Sequence, residues 1–272
     1  MTEADAVRVA QEPATVESLA GDLARLGVER GMTLLVHSSL SSLGWVSGAA
    51  TALIQALTRA LGPSGTLVMP AFSTDLSEPS YWVDPPVPEE WWPVIRATLP
   101  PFDPATTPTV RIGIVPETFR TLPGVRRSSH PAVSFAARGP AAEQLTAGHE
   151  LDFGCGEGSP LARLYDFGAH VLLLGVRHDR NSSLHLAEHR AAYDGKREIE
   201  QGGPVLRNGA RVWATYRDLD LWSEDFVALG EDYGARERCG RVACAVARLF
   251  PQRDVVDHAV GWMESHRRGK WR

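Results

Sequence analysis

Two apolar runs and the helix between them decide the fold class: Thr33-Leu34-Leu35-Val36-His37, then a helical stretch from Gly48 to Leu61, then Thr66-Leu67-Val68-Met69-Pro70. Each run is short, continuous and rich in Leu and Val, as expected of a strand buried on both faces. Gly62-Pro63 closes the helix. Strand, helix, strand with short joins reads as a βαβ unit, because parallel strands need a crossover. The protein is therefore expected to be α/β, with a sheet that is at least partly parallel. His37-Ser38-Ser39-Leu40 leaves the first strand at its carboxyl end, where open α/β sheets bind ligands.

The pattern extends in both directions. Thr15 to Leu26 is an amphipathic helix with Val16, Leu19, Leu23 and Leu26 on one side. Val171 to Gly175 is a third buried strand, and it leads through Val176-Arg177-His178-Asp179 into a helix predicted over Ser183 to Tyr193. Helices are predicted over 112–122, 141–147 and 159–167, and a strand over 133–138. Between Ser73 and Pro108 the chain is rich in proline and carries Tyr81, Trp82, Trp91 and Trp92, which reads as a long functional insertion. Val205 to Trp213 reads as a hairpin around Asn208-Gly209. A helix is expected over Arg241 to Phe250, a short strand over Asp254 to Val256, and a last helix over Ala259 to His266. No repeat or clean linker breaks the chain, so residues 1–272 are expected to form one domain, with 1–14 flexible.

The chain has 272 residues, is 43% hydrophobic and carries a net charge of −5. That supports a full core. The charge argues against nucleic acid and is compatible with a cationic ligand. No apolar run is long enough for a spanning helix, and the polar start lacks the form of a signal peptide, so a cytoplasmic location and no membrane partner are expected. Cys155, Cys239 and Cys244 have no metal-type spacing and fit reduced thiols. Cys239 and Cys244 are expected on a helix as packing residues, and Cys155 as a loop thiol or a nucleophile.

The chemistry concentrates in Asn181-Ser182-Ser183-Leu184-His185-Leu186-Ala187-Glu188-His189. His185 and Glu188 are three apart and share a helix face. A histidine beside a carboxylate is equipment for proton transfer. The same letters spell His-x-x-Glu-His, a zinc-peptidase motif, with Glu198 or Glu200 available downstream as a third ligand. Two further clusters could hold a phosphate or pantetheine arm: His37 to Leu40, and Arg126-Arg127-Ser128-Ser129-His130-Pro131. A solvated loop or helix cap is the plainer reading of each. No Gly-x-Gly-x-x-Gly follows a strand and no Walker loop is present.

Taken in order, these segments resemble the aminoglycoside 3-N-acetyltransferase family. The resemblance is carried by Leu34 to Leu40, Ala60 to Pro70, Phe102 to Pro108, Gly113 to Arg120, Arg127 to Pro131 with Gly139-Pro140, Gly158 to Leu164, and Leu172 to Val176 running into Leu184 to Glu188. It covers roughly Leu19 to Met263. It implies a three-layer α/β/α sandwich around a mixed sheet, and acetyl transfer from acetyl-coenzyme A to the 3-amino group of 2-deoxystreptamine antibiotics, conferring resistance. The family's His-x-x-Glu maps onto His185 and Glu188, and its hydroxyl two residues earlier onto Ser183. Its coenzyme pocket maps onto His37, Ser38, Ser39, Leu40, Ser73, Arg127, Ser128 and His130. Acidic walls for a polyamine are expected from Asp179, Asp75, Asp152 and Glu188, with Asp84, Glu89 and Glu90 as further candidates. The chain is expected to act as a monomer or homodimer without a metal. His185 would serve as base, Glu188 would fix its tautomer, and N–H groups at the helix start would receive the oxyanion. A zinc hydrolase, and a binding module without turnover, are the competing readings.

Overall fold

A computed structural model describes residues 3–269. Its elements in chain order are α1 (Glu3–Val9), α2 (Val16–Leu26), β1 (Thr33–Ser38), α3 (Ala49–Leu61), β2 (Thr66–Pro70), α4 (Trp92–Thr98) and α5 (Ile114–Arg120). Then come β3 (Arg126–Arg127), β4 (Phe135–Arg138), α6 (Ala142–Thr146), α7 (Pro160–Asp166), β5 (His170–Leu174) and α8 (Ser183–Arg190). The chain ends with β6 (Glu198–Arg207), β7 (Ala210–Leu219), α9 (Phe226–Tyr233), β8 (Arg238–Val242), β9 (Ala245–Pro251) and α10 (Gln252–His266).

Seven strands form one mixed sheet in the order β3-β4-β2-β1-β5-β9-β8. The central trio is parallel, with Leu34 opposite Leu67 on one side and His170 on the other. β4 and β9 flank it antiparallel. Strand residues alternate between two apolar cores, as the two-residue period requires. Leu34, Val36, Leu67 and Leu172 face α2, α3 and α5, whereas Leu35, Val68, Val171 and Leu173 face α6 to α10. The result is the expected α/β/α sandwich with a mixed, partly parallel sheet. Among the described residues, no helix is long and apolar enough to cross a membrane.

The stretch from Arg241 to Phe250 is not a helix. It lies within the antiparallel pair β8–β9, with Gly240 opposite Ala247. Along β9, Ala245, Ala247 and Leu249 are buried while Val246 is exposed. The alanine and arginine content favours a helix, but pairing with the edge of the sheet at β5 overrides propensity. Cys239 therefore sits on a strand and Cys244 in the turn after it, rather than on a helix face. The expected short strand at 254–256 is the first turn of α10, whose buried Val255, Val256, Ala259 and Met263 recur at helical spacing.

The late hairpin is longer than the sequence suggested. β6 and β7 pair over ten residues each as a separate two-stranded sheet. Asn208 and Gly209 both have positive φ, at 51° and 77°, which the two-residue turn demands. The proline- and tryptophan-rich insertion packs against this hairpin. Phe102 N–H donates to the Pro204 carbonyl at 2.9 Å, and Arg211 Nε donates to the Leu99 carbonyl at 2.7 Å.

Candidate active site

A cleft of about 1100 Å³ opens where β1, β2 and β5 end, at the carboxyl edge of the parallel trio. Ser38, Leu40, Phe72, Gly175, Ser182 and His185 are among its walls. Gly175 turns the chain off β5 with φ of 67°. A side chain there would run into Ser42 Oγ, so the close approach of the two loops requires glycine.

His185 stands on the first turns of α8, with its Nδ1 2.6 Å from Glu188 Oε2. Glu188 is fully buried. Its second oxygen accepts from Trp222 N–H at 3.0 Å and from the Arg267 guanidinium at 2.8 Å. Burial alone would raise the Glu188 carboxyl. The hydrogen bond from His185, with the charges of His185 and Arg267, outweighs burial and holds it below the ordinary carboxylate range. An ionised Glu188 makes Nδ1 the donor and leaves the Nε2 lone pair of His185 as the acceptor.

The four residues after β1 behave differently from one another. Ser38, Ser39 and Leu40 line the cleft. Ser38 Oγ is buried with no hydrogen-bond partner among the described residues. His37 is buried, 3.3 Å from Ser182 Oγ. Burial, aided by electrostatic interaction with the nearby His178 and His185 rings, lowers its pKa to about 3. Ser183 Oγ is also buried and without a partner, but it does not line the cleft. The helix-start N–H groups are already used: Ser183 N–H donates to Asn181 Oδ1, Leu184 N–H to the Asn181 carbonyl, and His185 N–H to the Ser182 carbonyl. Ser38 and Ser182 belong to the same wall, with Ser38 Oγ buried and Ser182 Oγ against the His37 ring.

Ser73, Arg127, Ser128 and His130 do not line this cleft. Arg127 donates to Ser134 Oγ at 2.9 Å, to Ser73 Oγ at 2.8 Å and to the carbonyls of Ala71 and Thr107. Ser128 Oγ lies 2.8 Å from His149 Nδ1, and His130 Nδ1 accepts from the N–H groups of Ala132 and Val133. Their polar atoms are thus engaged by neighbouring backbone and side chains rather than presented to the cleft. Arg127→Met would leave several buried acceptors unpaired, and it is expected to lower stability by about 3–5 kcal/mol. Denaturant unfolding measures this, and a loss under about 1 kcal/mol would place the guanidinium in solvent instead.

Of the proposed acidic walls, Asp179 lines the cleft, exposed and 3.3 Å from Arg180. Asp152 is held by Arg217 through N–H at 3.0 Å and guanidinium at 3.3 Å, away from the cleft. Asp75 is exposed in the loop after β2 and does not reach the cleft either. The cleft wall instead carries Arg111, Arg177 and Arg180 against that single carboxylate. Its chemistry suits an anion better than a polycation.

The His-x-x-Glu-His segment is not arranged as a metal centre. Glu188 is committed to His185 and Arg267. His189, one turn on from His185, is partly buried, edge-on to Phe153 and 3.9 Å from Asp218. Among the described residues no group of three His, Cys, Asp or Glu is placed to hold a metal. Cys155 is buried, and burial pushes its thiol well above the ordinary value, which removes the nucleophile reading.

Residues 35–264 match the family model described as aminoglycoside 3-N-acetyltransferase. The chain is 45% identical over 253 residues to the SPbeta prophage-derived aminoglycoside N(3')-acetyltransferase-like protein YokD of Bacillus subtilis (strain 168), covering 92% of each. The crystal structure of YokD superposes with a TM-score of 0.94 over 97% of this chain and 98% of that one, at 43% identity. AAC-IIIb, solved as a binary complex with CoASH, superposes with a TM-score of 0.85 at 34% identity, covering 96% of this chain and all (100%) of that one. AAC-VIa bound to sisomicin gives 0.84 at 33% identity, over 94% of this chain and 99% of that one. With its fold, its His185–Glu188 pair and these matches in agreement, the chain belongs to the aminoglycoside 3-N-acetyltransferase family of acyltransferases.

Proposed function

We propose that this protein transfers an acetyl group from acetyl-coenzyme A to the 3-amino group of 2-deoxystreptamine aminoglycosides, with His185 as general base, and that it confers resistance by doing so. The observation that carries the reading is the His185–Glu188 pair at 2.6 Å on the wall of a cleft whose charged side chains are mostly arginine. Leu40, Trp45, Phe72 and Ile112 give that cleft apolar walls suited to a pantetheine arm, and the arginines suit phosphates. The co-substrate, when bound, supplies an acyl group on a thiolate leaving group. His185 Nε2 takes the proton that the acceptor amine loses as the new bond forms. Glu188 holds the ring in the tautomer that leaves Nε2 free, and its charge stabilises the imidazolium.

The acceptor is polycationic, so it approaches His185 from the side away from the arginines. Asp218 on β7 stands within electrostatic reach of His185 and Asp152, and burial raises its carboxyl to about 6. Support for the two partners comes from relatives solved with CoASH and with sisomicin. The test is steady-state release of free coenzyme thiol with acetyl-coenzyme A and a panel of 2-deoxystreptamine antibiotics, followed by mass analysis of the product. Single acetylation at the 3-amino group is the expected result. Coenzyme binding without thiol release for every antibiotic in the panel would replace the acceptor with another amine.

A further inference from the structure

The Glu188 carboxylate is one link in a buried chain of charges that the proton-transfer scheme leaves unused. Arg267, at the end of α10, is 1% exposed. Its guanidinium donates to Glu188 Oε1 at 2.8 Å, grips Asp225 through Nε and Nη2 at 2.8 Å each, and donates to the Trp222 carbonyl at 3.0 Å. The same guanidinium lies over the Tyr193 and Trp222 rings. Removing a buried arginine from water is costly unless its charge is matched, and here two carboxylates match it.

The count of charges matters. Asp225 and Glu188 are negative and Arg267 is positive, so these three side chains together carry one net negative charge while His185 is neutral. When His185 takes a proton the whole cluster becomes neutral. Without Asp225, the Arg267 charge would cancel that of Glu188, and protonation of His185 would leave a buried net positive charge.

We propose that Arg267 and Asp225 act as a charge-balanced clamp: Arg267 fixes the Glu188 carboxylate toward His185, and Asp225 offsets the Arg267 charge so that His185 stays basic enough to accept the amine proton. This rests on the reading of His185 as the base. Both are positioning residues, acting through Glu188. Other charged or titratable groups also face the pair. His189 shares α8, and Tyr193 and Lys196 follow it, the lysine donating to the His189 and Ala191 carbonyls. His37 faces it from β1, Asp218 from β7, and Cys155 from the loop before α7. All of these are common to the variants below, so differences between variants belong to the clamp.

The test compares the wild-type protein with Asp225→Asn, Arg267→Met and the double variant. The readout is the titration midpoint of the His185 ring, followed by NMR on histidine-labelled protein and assigned by its loss in His185→Gln. The acid limb of kcat is recorded beside it. Asp225→Asn is expected to move the midpoint down by about one pH unit, because an uncompensated guanidinium opposes the imidazolium. Arg267→Met is expected to move it up by about as much. The double variant restores the net charge and returns the midpoint to near its starting value. A purely structural role predicts lower turnover with no opposed shifts. Midpoints that stay put, or move in the same direction in both single variants, overturn the clamp. Should Arg267→Met fail to fold, Asp225→Asn and the double variant decide alone. If His185→Gln keeps wild-type turnover, the base reading fails instead, while the NMR midpoints still judge the clamp.

Discussion

Replacing His185 with alanine is expected to lower kcat by roughly 10²–10⁴-fold while leaving coenzyme affinity nearly unchanged. The ring stands on the cleft wall with its Nδ1 engaged by Glu188, so Nε2 is the atom presented for proton transfer. Amines on a polycationic sugar are mostly protonated near neutral pH, and the attacking nitrogen must shed a proton as it bonds to carbon. Water does this poorly, whereas a neutral imidazole held 2.6 Å from a buried carboxylate is preorganised for it. The side chain adds little to a cleft of about 1100 Å³, so binding measured by calorimetry should survive the substitution. The diagnostic pattern is a large fall in kcat with an intact coenzyme Kd. Turnover within tenfold of wild type would remove His185 from the base role.

How far this site could be read from the sequence depends on how local each part is. His185 and Glu188 lie one helical turn apart, and their contact follows from helix geometry alone. Arg267 is 79 residues from Glu188 and 42 from Asp225, and no short-range pattern joins them. The clamp exists only because α10 packs across α8. The Arg127 to His130 segment lies off the cleft for a related reason. Its letters give polarity without direction, and the β3–β4 pairing turns Arg127 toward Ala71 and Thr107 rather than into the cleft.

The same contrast runs through the fold. The parallel trio was legible because strands buried on both faces write continuous apolar runs, as at Leu34 to Val36 and Val171 to Leu174. β9 was not, because one of its faces is partly open and two of its buried positions, Ala245 and Ala247, are alanine, which carries a helix signal. Its identity as a strand comes from its neighbour β5, to which Val171 and Phe250 contribute a directly opposed pair. The Asn208-Gly209 turn needed no such context, since only residues tolerant of positive φ close a two-residue hairpin.

Stability should collapse on mild acidification, beginning below about pH 6.5, the unfolded-state value for histidine. Among the described residues, His37, His130 and His149 are buried and His189 is partly so, and desolvation is the chief reason each is held neutral: His37 and His130 fall to about 3, and His149 and His189 to about 4. Each such ring binds a proton in the unfolded chain that it refuses in the folded one. The stability they contribute is fully present above 6.5 and is lost as pH falls through 4 for His149 and His189 and through 3 for His37 and His130. Asp218 works the other way, since its carboxyl is raised to about 6 and gains a proton in the folded state first, offsetting one of the four. The depressed carboxyls of Glu188 and Glu117, the latter at about 2, add their own loss only below the ordinary carboxylate range. Three uncompensated protons between pH 6 and 4 correspond to about 4 kcal/mol per pH unit. Against a folding free energy of about 5–15 kcal/mol, one to a few units of acidification suffice to unfold the protein. His130 and His149 hold the segments behind the cleft, through the Ala132 N–H and the Gly154 carbonyl, so activity should fail with the fold rather than before it. Thermal unfolding followed by circular dichroism from pH 8 to 4.5 measures this directly. A Tm that stays level between pH 6 and 4.5 would mean that these rings are already charged or hydrated in the folded protein.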